Sequence, residues 1–171
     1  MQVDQQLMQR SAPSTQRRSD AEQPLVIIVD DDAGVREALS ELILSVGFEP
    51  VCFASVRELL HSDVMESPGC LILDVRLPGA SGLDLQHQLV QNGNPKPIVF
   101  LTGYGDIQMT VQAMKAGAID FLTKPVRDQT LLDAVMIGIE RDAAQRDRAR
   151  VARLHLERYR TLSRRERQVM H

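Results

Sequence analysis

Val26-Ile27-Ile28-Val29-Asp30-Asp31-Asp32 decides the fold: an unbroken apolar run that closes in three carboxylates. A second run, Cys70-Leu71-Ile72-Leu73, ends in a single carboxylate, Asp74. Apolar runs this short and continuous read as strands buried on both faces, the habit of parallel sheets covered by helices. In an open parallel sheet, ligands gather outside the carboxyl ends of the strands. Asp30, Asp31 and Asp74 are therefore predicted to converge on one edge. Carboxylates forced together repel unless a cation lies among them, and an all-oxygen donor set suits Mg²⁺. The reading is an acidic divalent-metal pocket with Asp74 at its centre.

Outward from these two runs, strand and helix signals alternate. Leu25–Asp30 reads as the first strand, and Val35, Leu39, Leu42, Ile43 and Val46 follow at helical spacing up to Gly47. Glu49–Phe53 is a short strand. Ser55 is then an expected N-cap with Glu58 as its capping-box partner, and Val56, Leu59, Leu60 and Val64 continue as one helix. After Cys70–Asp74, the glycines and proline at 78, 79 and 82 mark a loop, and Leu83–Val90 reads as a helix. Ile98–Thr102 is a strand. Asp106 caps a helix through Met109, Val111, Ala113 and Met114 that Gly117 closes, with the methionines as core or interface residues. Ile119–Thr123 is the fifth strand, and Leu131, Leu132, Val135 and Ile139 open a last helix. Five βα units predict a doubly wound α/β domain with helices on both faces.

Composition agrees. The 171 residues are 43% hydrophobic and 25% charged, enough for one ordinary core, which aliphatic side chains must build because there is no Trp. The net charge of −3 hides an asymmetry. Residues 25–126 hold 13 acids and 6 bases, whereas 127–171 hold 7 acids and 11 arginines. An acidic body with a basic tail suggests two parts with different partners. Cys52 and Cys70 have no metal-type spacing and read as two buried, reduced thiols. No apolar leader or membrane-length run is present, so the cytoplasm is the expected location and no membrane is an expected partner.

Each predicted strand end carries a different chemical type. Asp30 and Asp31 end the first, Asp74 the third, Thr102 the fourth within Leu101-Thr102-Gly103, and Lys124 follows the fifth before Pro125. In this order, V-D-D, L-I-L-D-x-x-L-P-G-x-S-G, L-T-G and K-P make residues 25–139 strongly resemble the receiver domain of two-component response regulators. The resemblance implies a flavodoxin-like (βα)5 fold with strand order 2-1-3-4-5. It implies that Asp74 accepts a phosphoryl group, in a Mg²⁺-dependent step, from a sensor histidine kinase. Asp31 resembles the direct metal ligand, Asp30 the second acid, and the backbone carbonyl of Arg76 the group that completes the shell. Thr102 resembles the hydroxyl, and Lys124 the ammonium, that bind phosphoryl oxygens. Thr102 and Phe121 resemble the switch pair, and the Lys124–Pro125 bond is expected to be cis. Tyr104 falls where the family tunes phosphate lifetime.

Outside this set, the expectations are structural. Asp32 reads as a helix N-cap rather than a metal ligand. Ser81 reads as a loop or cap residue. His61, His87 and His155 lack ligand partners and read as solvated or packing residues.

The flanks divide the chain further. Residues 1–23 are polar and read as a disordered tail; residues 24–140 form the receiver. Residues 141–160 read as a helical linker, polar nearly all round, in which Asp142 and Asp147 dilute the basic run that a nucleic-acid patch would need. Thr161-Leu162-Ser163-Arg164-Arg165-Glu166-Arg167-Gln168-Val169-Met170 resembles the opening of a LuxR-type helix-turn-helix, with Ser163 as N-cap and Glu166 as box partner. Residues 161–171 would then be its first turns. The recognition helix would lie past residue 171, so specific DNA binding is expected only through that further domain. The implied class is a FixJ/NarL-type transcription regulator, nearer the FixJ branch, that dimerises on phosphorylation. It is a switching protein and not a conventional enzyme. One rival is a stand-alone receiver that docks to partner proteins. Another is a Mg²⁺-dependent phosphatase with an Asp nucleophile, which Arg76 disfavours because such enzymes carry a second Asp two residues after the first.

Overall fold

The computed structural model describes residues 22–168. The expected tail therefore lies almost wholly outside the described residues, as do residues 169–171. The elements are β1 (Leu25–Val29), α1 (Ala33–Ser45), β2 (Glu49–Phe53), α2 (Val56–Leu60), a 3₁₀ turn (Val64–Glu66), β3 (Gly69–Leu73), β4 (Arg76–Leu77), β5 (Ala80–Ser81), α3 (Gly82–Gln91), β6 (Ile98–Thr102), α4 (Ile107–Lys115), β7 (Asp120–Thr123) and α5 (Asp128–Gln168). Five strands form a parallel sheet in the order β2-β1-β3-β6-β7. Leaving out the two-residue β4–β5 hairpin, this is the expected order 2-1-3-4-5 of a doubly wound fold.

Side chains of successive strand residues point to opposite faces, so each central strand feeds two cores. Ile27, Val29, Leu71, Leu73 and Phe100 pack with Leu59 of α2, Leu85 and Leu89 of α3 and Ala113 of α4. Val26, Ile28, Ile72, Val99 and Leu101 pack with Leu39 and Ile43 of α1 and with Leu131 and Val135 of α5. Residues of β3 and β6 are buried throughout. That double burial is why both runs are continuously apolar rather than alternating.

The helix starts follow local chemistry. The Asp32 carboxylate accepts from the N–H groups of Gly34 and Val35 at 2.8 and 3.2 Å, which makes it the N-cap of α1. Ser55 caps α2, Ser81 caps α3 and Asp106 caps α4. Glu58 reaches back to the N–H of Ala54, one residue before the cap. Gly69 has φ +132° and lies so close to β1 that a Cβ would come 1.8 Å from the Leu25 carbonyl oxygen. No other residue fits there.

Four local expectations change. The helix expected over 56–64 stops at Leu60 and resumes as the 3₁₀ turn, because His61 closes α2 with its N–H on the Arg57 carbonyl. The expected loop after Asp74 contains the β4–β5 hairpin. Cys70 is buried, but Cys52 is exposed, since β2 is an edge strand and this residue sits beside Ser40 of α1 at 3.0 Å. Ser163 is no N-cap: α5 runs unbroken through it, and its hydroxyl donates back to the Arg160 carbonyl. Residues 141–160 belong to the same continuous helix. Among the described residues no helix is long and apolar enough to cross a membrane.

Candidate functional site

Parallel strands in register place their carboxyl ends side by side. The Asp74 N–H donates to the Val29 carbonyl at 3.1 Å, and the Asp30 N–H to the Phe53 carbonyl at 3.2 Å. Across β6 and β7, the Lys124 N–H donates to the Thr102 carbonyl at 2.8 Å. These backbone bonds bring Asp30, Asp31, Asp74, Thr102 and Lys124 to one edge, as their positions in the sequence require.

One oxygen from each of Asp30, Asp31 and Asp74 lies within 4.8 Å of the others. Asp30 and Asp74 are buried, while Asp31 faces solvent. The Lys124 ammonium spans the first two, 2.6 Å from Asp30 Oδ2 and 3.2 Å from Asp74 Oδ2. Burial pushes this lysine's pKa down, but its hydrogen bonds and charge contacts with Asp30 and Asp74 more than offset that, and the net shift is upward. The other oxygens of the two buried acids are held by backbone: Asp30 Oδ1 by the Asp32 N–H at 2.9 Å and Asp74 Oδ1 by the Arg76 N–H at 3.1 Å. Three carboxylates against one ammonium leave the pocket with an excess of negative charge. A hard divalent cation with oxygen ligands fits this donor set.

The three expected carboxylate ligands and Lys124 thus form one cluster, with Thr102 at the neighbouring strand end. Thr102 is fully buried, with its Oγ1 accepting from the Tyr104 N–H at 3.3 Å. Phe121 is half-buried, its ring 5.7 Å from that of Phe100. A Cβ on Gly105 would come 2.9 Å from Phe121 Cε1, so this glycine makes room for the ring. The Lys124–Pro125 bond is cis. His61 and His87 are exposed and bond only to local helix groups, away from the carboxylates.

One residue, Arg36, and one side-chain contact, that of Arg76, escape a reading by motif. The Arg36 guanidinium donates to the Asp30 carbonyl at 2.7 Å and braces the β1–α1 turn. A cation one turn past an acidic run was its only signal. Arg76 lays its guanidinium 4.5 Å over the Tyr104 ring, joining the loops that follow β3 and β6. Each residue lies two positions past an edge residue, but only the packed sheet shows that they meet.

Comparison with known proteins agrees with this geometry. The family model described as response regulator receiver domain matches residues 26–136. Nodulation protein W of Bradyrhizobium diazoefficiens is 51% identical over 146 residues, covering 85% of this chain and 64% of that protein. Transcriptional regulatory protein FixJ of the same organism is 37% identical over 145 residues, covering 85% and 71%. The structure of response regulator StyR superposes with a TM-score of 0.72 at 48% identity, over 80% of this chain and 68% of that one. The chain therefore spans about two thirds of the length of such relatives. Sheet order, strand-end chemistry and these matches converge, and the chain belongs to the response regulator receiver domain family.

Proposed function

We propose that Asp74 is the phosphoacceptor of a two-component signalling pathway. The observation that carries this is the cluster of Asp74 with two further acids and with an ammonium that bonds both Asp74 and Asp30. An Asp74 oxygen attacks the phosphorus of a phosphohistidine on a sensor kinase. A P–O bond forms, the P–N bond breaks, and its electron pair leaves with the imidazole. Lys124 turns from Asp74 to an oxygen of the transferred group, and the Thr102 hydroxyl donates to another. Phosphoryl transfer asks little covalent chemistry of the protein and much charge neutralisation. Mg²⁺, held by Asp30, Asp31, Asp74 and the Arg76 carbonyl, would supply the remaining positive charge.

The output reading rests on packing and on the relatives. When Thr102 moves toward the phosphoryl group, the space it leaves allows Phe121 to turn inward from its half-exposed position. That would reshape the surface of α4, β7 and α5 and favour a homodimer. A local charge event biasing a two-state element is the general physics of such switches. Residues 161–171 would lead into a DNA-binding domain, making the whole protein a transcription regulator. Intact-mass measurement after acetyl phosphate and Mg²⁺ tests the central step. One added phosphoryl group per chain is expected, with none on Asp74→Asn. A variant that still gained the group would refute Asp74 as acceptor.

A further inference from the structure

The second half of α5 stands apart from the body. Every residue from Arg146 to Arg164 is exposed. Residues 147–168 carry eight arginines, no lysine and three acids, a net charge of +5. Asp142 lies outside this span, and the dilution by Asp147 is confined to one arginine. Asp142 is withdrawn into the body, where it accepts from the Gly69 N–H at 2.9 Å and from Arg146 at 2.8 Å. Asp147 is spent on Arg150 at 2.7 Å.

Part of this charge falls on one face. Arg150, Arg153, Glu157, Arg160 and Arg164 recur at alternating steps of three and four residues, which puts them on one stripe. Val151 and Leu162 lie on the opposite side. From Arg150 to Arg164 the stripe runs about 21 Å at 1.5 Å per residue. Glu157 offsets Arg153 and Arg160 in part, but Arg160 and Arg164 are like charges four apart that oppose the helix, so an anion along the stripe would stabilise it. Arginine, always charged and forked, is the side chain matched to phosphate oxygens.

We infer that this arm binds the phosphodiester backbone of double-stranded nucleic acid without sequence preference, independently of any recognition helix. The acidic body cannot supply this contact: residues 25–126 are acidic in net and repel a polyanion. Arg153, Arg160 and Arg164, which make no ion pair among the described residues, are the three cations expected to meet phosphates.

The test is fluorescence anisotropy of the 171-residue chain with a labelled mixed-sequence duplex across a salt series. Three phosphate contacts predict a slope of log Kobs against log salt near −2.7, or about a 40-fold loss between 50 and 200 mM. Arg153→Gln/Arg160→Gln/Arg164→Gln should flatten that slope and weaken binding at least ten-fold at the lower salt. Gln keeps helix propensity, and circular dichroism of the variant verifies that the arm is intact. Arg148→Gln, off the stripe, should change little. Absence of binding at 50 mM salt, or an unchanged slope in the triple variant, overturns the assignment. Equal competition by polyglutamate of matched charge would also overturn it, and would point to an acidic protein.

Discussion

Two buried charge clusters sit at opposite ends of the same sheet, and they differ in balance. At the carboxyl edge, Asp30, Asp31 and Asp74 face a single ammonium, Lys124. At the amino edge, Asp142 and Lys96, both 5% exposed, share a small region with Arg146. There Asp142 takes the Gly69 N–H and Arg146, while Arg146 also donates to the carbonyls of Glu66 and Ser67, and Lys96 donates to the Ser67 carbonyl. The first cluster keeps unmatched charge and can accept a cation. The second sets Asp142 and the neighbouring Glu66 against Lys96 and Arg146, gives its remaining donors to backbone carbonyls, and fastens α5 to the strand ends. The two lysines respond in opposite directions: the carboxylates raise Lys124, while burial, with a contribution from Arg146, lowers Lys96 despite Asp142. Burial alone does not mark a functional site; the surplus of one sign does.

The largest expected effect breaks the balanced end. Asp142→Ala strands the Gly69 N–H, while the exposed Arg146 keeps its bonds to the Glu66 and Ser67 carbonyls, and leaving a buried donor unpaired costs about 1–3 kcal/mol. Urea unfolding should show a loss near this range, with phosphorylation of the folded fraction intact. A loss under about 1 kcal/mol would mean that the cluster does not anchor α5.

Alkaline pH probes the same end through a different group. Burial pushes the Cys70 thiol up to about 12. The folded state then keeps a proton that the unfolded chain gives up near pH 9, so this group's contribution falls as pH rises from 9 toward 12, by about 1.4 kcal/mol per unit. Lys96 runs the other way. Its lowered pKa makes the unfolded chain bind more protons, so its contribution rises with pH until the unfolded lysine itself titrates, near 10.4. The stability gap between wild type and Cys70→Ala should therefore shrink from pH 9 to 11, and that between wild type and Lys96→Met should move the opposite way. Shifts of the same sign in both variants would contradict this assignment.

The unbalanced end should be sharpened by separating its two exposed neighbours. Asp31→Asn is expected to weaken Mg²⁺ binding at least ten-fold in a calorimetric titration. Asp32→Asn should leave it nearly unchanged, because that side chain caps α1. Equal losses would undo the division of labour. Asp32→Ala should instead cost about 1 kcal/mol of stability, the usual cost of losing an N-cap.

The last effect concerns the switch. Thr102→Ala should reduce beryllofluoride-dependent dimerisation in sedimentation by the 5- to 150-fold typical of such couplings. The same activator response in variant and wild type would remove Thr102 from the route.

Which residues end the strands, and therefore what chemistry reaches the edge, was determined by the sequence alone. The period of a buried parallel strand leaves Asp30, Asp74, Thr102 and Lys124 nowhere else to go. The caps Asp32 and Asp106 were legible for the same reason, since a cap acts on N–H groups within three residues of itself. Contacts between residues far apart in sequence were decided only by the tertiary structure. Arg76 meets Tyr104 across two loops, Asp142 reaches Gly69 across 73 positions, and the edge position of β2 exposes Cys52. The 161–170 segment carried a good local cap signal at Ser163, yet α5 continues past that residue to Gln168. A capping hydroxyl competes weakly with a helix already propagating from a packed amino-terminal half, because adding one more turn needs no new nucleus.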